Sequence, residues 1–113
     1  MLPYAFHPEA LNDLDSIWEY VASGSIDAAD RIAQKILQRI EAAASMPHIG
    51  IRRPDLTSRP LRFLSTHSWL IAYAPDEKPL WIVAIVDARR NPRVLAAILR
   101  ERDSTDPIEN ALT

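Results

Sequence analysis

Residues 61–92, LRFLSTHSWLIAYAPDEKPLWIVAIVDARRNP, decide the fold. Leu61, Arg62 and Phe63 read apolar, charged, apolar, which is the two-residue period of a strand with one face on a core. Trp69 to Ala74 is apolar and rich in residues that favour strands. The run Pro75-Asp76-Glu77-Lys78-Pro79 then supplies a turn, and a second apolar run, Leu80 to Val86, follows at once. That second run has no polar alternation, as expected of a central strand covered on both faces. Asn91-Pro92 supplies an N-cap and a first-turn proline for a closing helix. Val94, Leu95, Ile98 and Leu99 give that helix its apolar face. The C-terminal half therefore predicts three strands (Leu61–Ser65, Trp69–Ala74, Leu80–Val86) joined by hairpins, then a helix ending near Arg102.

Upstream, the period changes from two to three and four. Pro3 to Phe6 is a short apolar strand that stops at His7-Pro8. Over Pro8–Ala22, Leu11, Leu14, Ile17, Trp18 and Val21 share one helical face, and Asp13, Asp15, Ser16 and Glu19 fall largely on the other. Ser23-Gly24-Ser25 interrupts this helix, and Ser25 is placed to cap the next one. Ile26 to Ser45 repeats apolar residues at Ala29, Ile32, Ala33, Ile36, Leu37, Ile40 and Ala44. So short a break predicts an antiparallel helical hairpin. Met46 to Pro60 is a proline-punctuated connector. The predicted class is α+β, with the helical hairpin packed on a mostly antiparallel sheet, the order β-α-α-β-β-β-α, and the helices on one face.

The 113 residues, 48% apolar and 25% charged, suit one globular domain over residues 1–102. Residues 103–113, DSTDPIENALT, have little to pack and read as a loose tail. The absence of cysteine leaves no thiol chemistry. The opening residues do not form a signal peptide, and no run approaches the ~20 apolar residues of a membrane span. A soluble cytoplasmic protein is the expectation. The net charge of −2 hides an asymmetry: residues 1–47 carry seven acids and three bases, and residues 48–102 carry ten bases and five acids. Such a division points to a basic functional half.

Three segments together carry a family resemblance. HPEALNDLDSIWEYVA (7–22) resembles the opening helix of the RelE/ParE toxin superfamily. SIDAADRIAQKILQRIEAAASMPHIGIRRPDL (25–56) resembles its second helix and arginine-rich connector, and the stretch quoted first resembles its three-strand meander. The resemblance covers roughly residues 4 to 100 and implies a RelE/ParE-like fold and a toxin of a type II toxin–antitoxin system. Its partner would be a cognate antitoxin, with a hetero-oligomer as the resting form. RelE-like members cut messenger RNA on the ribosome, whereas ParE-like members poison DNA gyrase.

Residue by residue, the RelE-type constellation is thin. Trp69 and Leu70 stand where a tyrosine–arginine pair is expected, the last helix has Val94 and Leu95 and no tyrosine, and only Arg89 matches a catalytic arginine. The ParE-like branch, a gyrase inhibitor that needs no cofactor or metal, is therefore preferred. A metal-independent endoribonuclease using Arg62 and Arg89, and a module that only binds antitoxin, are the alternatives. Target binding is expected of Arg62, Arg89, Arg90 and Arg93, extended by Arg52, Arg53 and Arg59, against the plainer reading that arginines solvate the sheet. Arg93 is notable because a cation in the first turn opposes the helix dipole. Antitoxin contacts are expected at Leu11, Trp18 and Trp69, on an open sheet edge beside the hairpin. Trp81 and Tyr73 read as core residues, and His7 as a helix-start residue. His48 and His67 are too scattered from it to hold a metal.

Overall fold

A computed structural model describes residues 2–102. Its elements are β1 (Tyr4–Phe6), α1 (Pro8–Ala22), α2 (Ile26–Ser45), β2 (Arg62–Thr66), β3 (Trp69–Ala74), β4 (Leu80–Asp87) and α3 (Pro92–Glu101). The predicted order holds. β2 starts one residue later than expected: Leu61 N turns back to Arg59 O at 2.8 Å, and the ladder with β3 begins at Arg62. The tail predicted from residue 103 lies outside the described residues.

Local chemistry explains the helix starts. His7 is the N-cap of α1, where Nδ1 accepts from Glu9 N at 3.0 Å and Pro8 takes the first turn. Ser25 Oγ accepts from Ala28 N at 3.1 Å to open α2, and Asn91 Oδ1 accepts from Arg93 N at 2.8 Å to open α3. Trp18 Nε1 donates to Asp30 Oδ1 at 2.9 Å, tying α1 to α2.

The sheet order is β1-β4-β3-β2, with β1 parallel to β4 and the other pairs antiparallel. Ala72 pairs with Ala84 and Tyr73 with Ile82, so Val83 is an unopposed extra residue on β4. This bulge exchanges the sides to which the following backbone groups point.

Two apolar cores sandwich the sheet. On one face, Ile17 of α1 and Ile36 and Ile40 of α2 pack on Leu64, Ile71, Tyr73, Ile82 and Ile85. Ile36 and Ile40 are fully buried, and each contributes about 2 kcal/mol by apolar burial. On the other face, Leu95 and Leu99 of α3 pack with Phe63, Leu70, Trp81, Val83 and Ala84. The expectation that all helices share one face is thus corrected: α3 crosses to the opposite face. The physical reason is β4 itself, whose first six residues are buried and need cover on both sides.

Candidate functional site

β1 spans only the first part of β4. Its pairing ends where His7 N donates to Ile82 O at 2.9 Å. Beyond that point the edge of β4 faces a groove of about 420 Å³ between α1 and α3. Ile85, Val86 and Trp69 form the floor, Ile17 and Tyr20 one wall, and Ile98 the other, with Arg89 and Arg90 at the mouth.

An ion pair closes the inner end. Asp13 accepts from Arg102 Nη1 at 2.6 Å and Nη2 at 3.0 Å. Asp13 Oδ2 also accepts from Ile85 N at 2.9 Å, and Arg102 Nη1 donates to Val83 O at 3.0 Å. The pair thereby supplies hydrogen bonds to edge groups that β1 is too short to reach. Both side chains are largely buried, at 19% and 11% exposure. The sequence placed Asp13 on the solvent face and gave Arg102 no role. The available signal was spacing: Asp13 stands three residues after Ala10 and four before Ile17, both buried, so it shares their face.

At the mouth, Arg89 binds Asp87 through Nε at 3.0 Å and Nη2 at 2.9 Å, and its backbone N–H donates to the same carboxylate. These bonds hold the Asp87 carboxyl down at about 2. Arg89 remains 70% exposed. Arg90 and Arg93 are exposed and have no carboxylate within ion-pair distance among the described residues. Tyr20, 72% exposed, stands on the groove wall within electrostatic reach of Arg89 and was not anticipated.

The expected arginine cluster divides. Arg89, Arg90 and Arg93 meet at the β4–α3 junction. Arg62 pairs in register with Tyr73, which pairs with Ile82, five residues before Asp87. At ~3.3 Å per residue this is about 16 Å along the sheet. Arg62 Nη1 donates there to Gly50 O at 2.8 Å, so it braces the connector. Arg53 pairs with Asp55, Arg59 Nη1 donates to Leu99 O at 3.1 Å, and Arg52 is exposed. These three line a small hollow on the connector, and Arg59 also lines a neighbouring one that reaches Ala96 and Arg100 of α3.

Of the residues expected to meet a partner, Trp69 lines the groove and is half-buried. Leu11 is 48% exposed, so it leaves the apolar face assigned to it, and Trp18 is half-buried and bonded to Asp30. Neither Leu11 nor Trp18 lines this groove. Tyr73 is fully buried. Its hydroxyl accepts from Gly50 N at 2.9 Å and donates to Pro47 O at 2.8 Å, and burial raises its pKa. Trp81 is core, and its indole Nε1 is buried without a hydrogen-bond partner among the described residues. His48 and His67 are exposed, His67 at the β2–β3 turn with φ of 53°. No metal-holding cluster of His, Cys, Asp or Glu and no membrane-spanning helix occurs among the described residues.

A family model described as the ParE toxin of the type II toxin–antitoxin system, parDE, matches residues 4–92. No curated protein matches the chain.

Proposed function

Because the chain belongs to the ParE toxin family of type II toxin–antitoxin systems, we propose that it acts by inhibiting DNA gyrase, with no hydrolytic step of its own, and that a cognate antitoxin silences it. The observation that carries this reading is the state of the ionisable groups around the groove. Cleavage of RNA by 2′-hydroxyl attack needs a base, an acid and cations converging on one phosphate. Asp13 is spent on Arg102 and Ile85 N, and Asp87 on Arg89. The Tyr73 hydroxyl is spent inside the core. Arg62 and Arg89, the two arginines a ribonuclease of this kind would share, stand at opposite ends of the sheet.

Binding needs no such convergence. Arg90 and Arg93 offer exposed positive charge beside an apolar groove, a combination suited to an acidic protein surface. Purified protein added to gyrase tests the reading. Loss of supercoiling, with or without trapped cleaved DNA, is the expected result. Codon-phased cuts in messenger RNA after induction, with supercoiling unaffected, would assign the chain to the ribosome-dependent ribonucleases. Absence of growth arrest would make it a binding module only.

A further inference from the structure

The acidic first 47 residues hold three bases, Arg31, Lys35 and Arg39, and all three lie on α2 at four-residue steps. Four residues advance ~6 Å along a helix and return to nearly the same side, so these charges form one stripe about 12 Å long. Arg31 and Lys35 are exposed, and Arg39 is half-buried. None of the three side chains makes an ion pair or a hydrogen bond among the described residues. The acids of the same helix do not answer them. Asp30 turns to α1, where it accepts from Trp18 Nε1, and Glu41 falls on the side away from the stripe. Asp27 precedes Arg31 by one turn, but it sits in the first turn, against the positive end of the helix dipole.

The stripe continues onto the sheet. Each step of four residues overshoots a full turn by about 40°, which carries the stripe toward the core side, and Arg39 stands next to the fully buried Ile40. On β2, Arg62 shares a side with Leu64, which packs with Ile36 and Ile40, so Arg62 lies on the face that α2 covers. Arg39 and Arg62 are both within electrostatic reach of the Tyr73 hydroxyl, which brings them together at the end of the stripe. The bonds of Arg62 go to the carbonyls of Gly50 and His48 and leave its charge in place.

A line of cations without facing acids calls for a line of anions. Duplex nucleic acid has the dimensions: one strand carries a phosphate every ~3.4 Å of axis, so about three or four pass along 12 Å. A single strand would also need exposed aromatic rings on which its bases stack. Among the described residues Tyr20 is the exposed aromatic, and it stands in the groove, away from the stripe. We propose that the outer side of α2, from Arg31 to Arg39 with Arg62 at its end, is a contact surface for the phosphate backbone of duplex DNA, bound without regard to sequence. The stripe faces away from α1, whereas the groove lies between α1 and α3, so the proposal is independent of what the groove binds. The net charge of −2 opposes the contact at long range and keeps it weak.

Fluorescence anisotropy of a labelled duplex of about 20 base pairs, titrated with the full chain over a series of salt concentrations, is the test. Binding at roughly 10–100 µM near 50 mM salt is expected, with log K falling against log salt at a slope of about −3. Arg31→Gln/Lys35→Gln keeps good helix formers at both exposed positions. It should weaken binding at least about tenfold and bring the slope to about −1. Lys35→Arg should bind like the native chain. Arg52→Gln/Arg100→Gln removes as much exposed charge elsewhere and should leave the slope unchanged. Circular dichroism confirms that each variant is folded. Equal losses in the two double variants would mean a diffuse effect of net charge and would overturn the proposal. So would tighter binding to a single strand of the same length, displacement of the duplex by polyglutamate of equal charge, or no binding at low salt.

Discussion

Single residues hold this fold at points where backbone groups would otherwise be stranded. Tyr73 supplies a hydroxyl to both Gly50 N and Pro47 O, securing the connector against the core. A Cβ at Gly50 would lie 2.6 Å from that hydroxyl and 2.9 Å from Phe63 O, so the position requires glycine for lack of space. Tyr73→Phe should cost about 2 kcal/mol by leaving two buried groups unsatisfied. Gly50→Ala should also destabilise, and both effects are measurable by urea denaturation. An unchanged midpoint in Tyr73→Phe would show that water replaces the hydroxyl. His7 acts through its protonation state. Burial lowers its pKa below 6.5, with Arg102 as the next cause, and its Nδ1 must be unprotonated to cap α1. The unfolded chain therefore takes up the proton more readily, and this part of the stability is full above pH 6.5 and declines as pH falls toward the folded value. His7→Asn keeps a capping oxygen and does not titrate. Its melting temperature should change less than that of the native chain between pH 7.5 and pH 5.5, and equal changes would remove His7 from the account.

Among the elements, β4 organises the molecule. It pairs with β1 on one side and β3 on the other, and each helix layer packs against one of its faces. Where β1 ends, the Asp13–Arg102 pair joins α1, the end of α3 and the β4 edge. Breaking a pair so deeply placed leaves a buried charge without its partner, at a cost of about 3 kcal/mol. Asp13→Leu and Arg102→Met should each show this loss in chemical denaturation. The double variant should lose much less than the sum, because no orphaned charge remains. Additive losses would mean that the two residues act independently. The helices, β3 and the start of β4 were legible, since periodicity, prolines and caps mark them locally. The bulge was not. Leu80 to Val86 reads as uniform apolar sequence, and nothing in it marks Val83 as unopposed, because a bulge arises from the register of two strands together.

For the whole molecule, charge position matters more than net charge. The basic half folds into two separate groups, one at the β4–α3 junction and one along the connector, with Arg62 used as a brace near the latter. Charge reversal of Arg89 and Arg90 together should weaken antitoxin or gyrase binding by at least tenfold, about 1.4 kcal/mol, and flatten its salt dependence. Arg62→Glu should instead lower stability and leave binding nearly intact once the protein is folded. Equal binding losses in both variants would return Arg62 to the interface. Along the chain, these arginines differ only by position, so sequence reading assigned them to one surface. Leu11 was misplaced for a related reason: an apolar residue at the rim of a helical stripe can fall on either side of the boundary, and Leu11 falls outside it at 48% exposure. The sequence alone determined the element order, the helical hairpin and the central apolar strand, because each is written in local spacing and turn chemistry. That α3 covers the second face, and that Asp13 meets Arg102 across 89 positions of chain, emerged only in the folded molecule. Those outcomes depend on which segments become neighbours, and no local period records that.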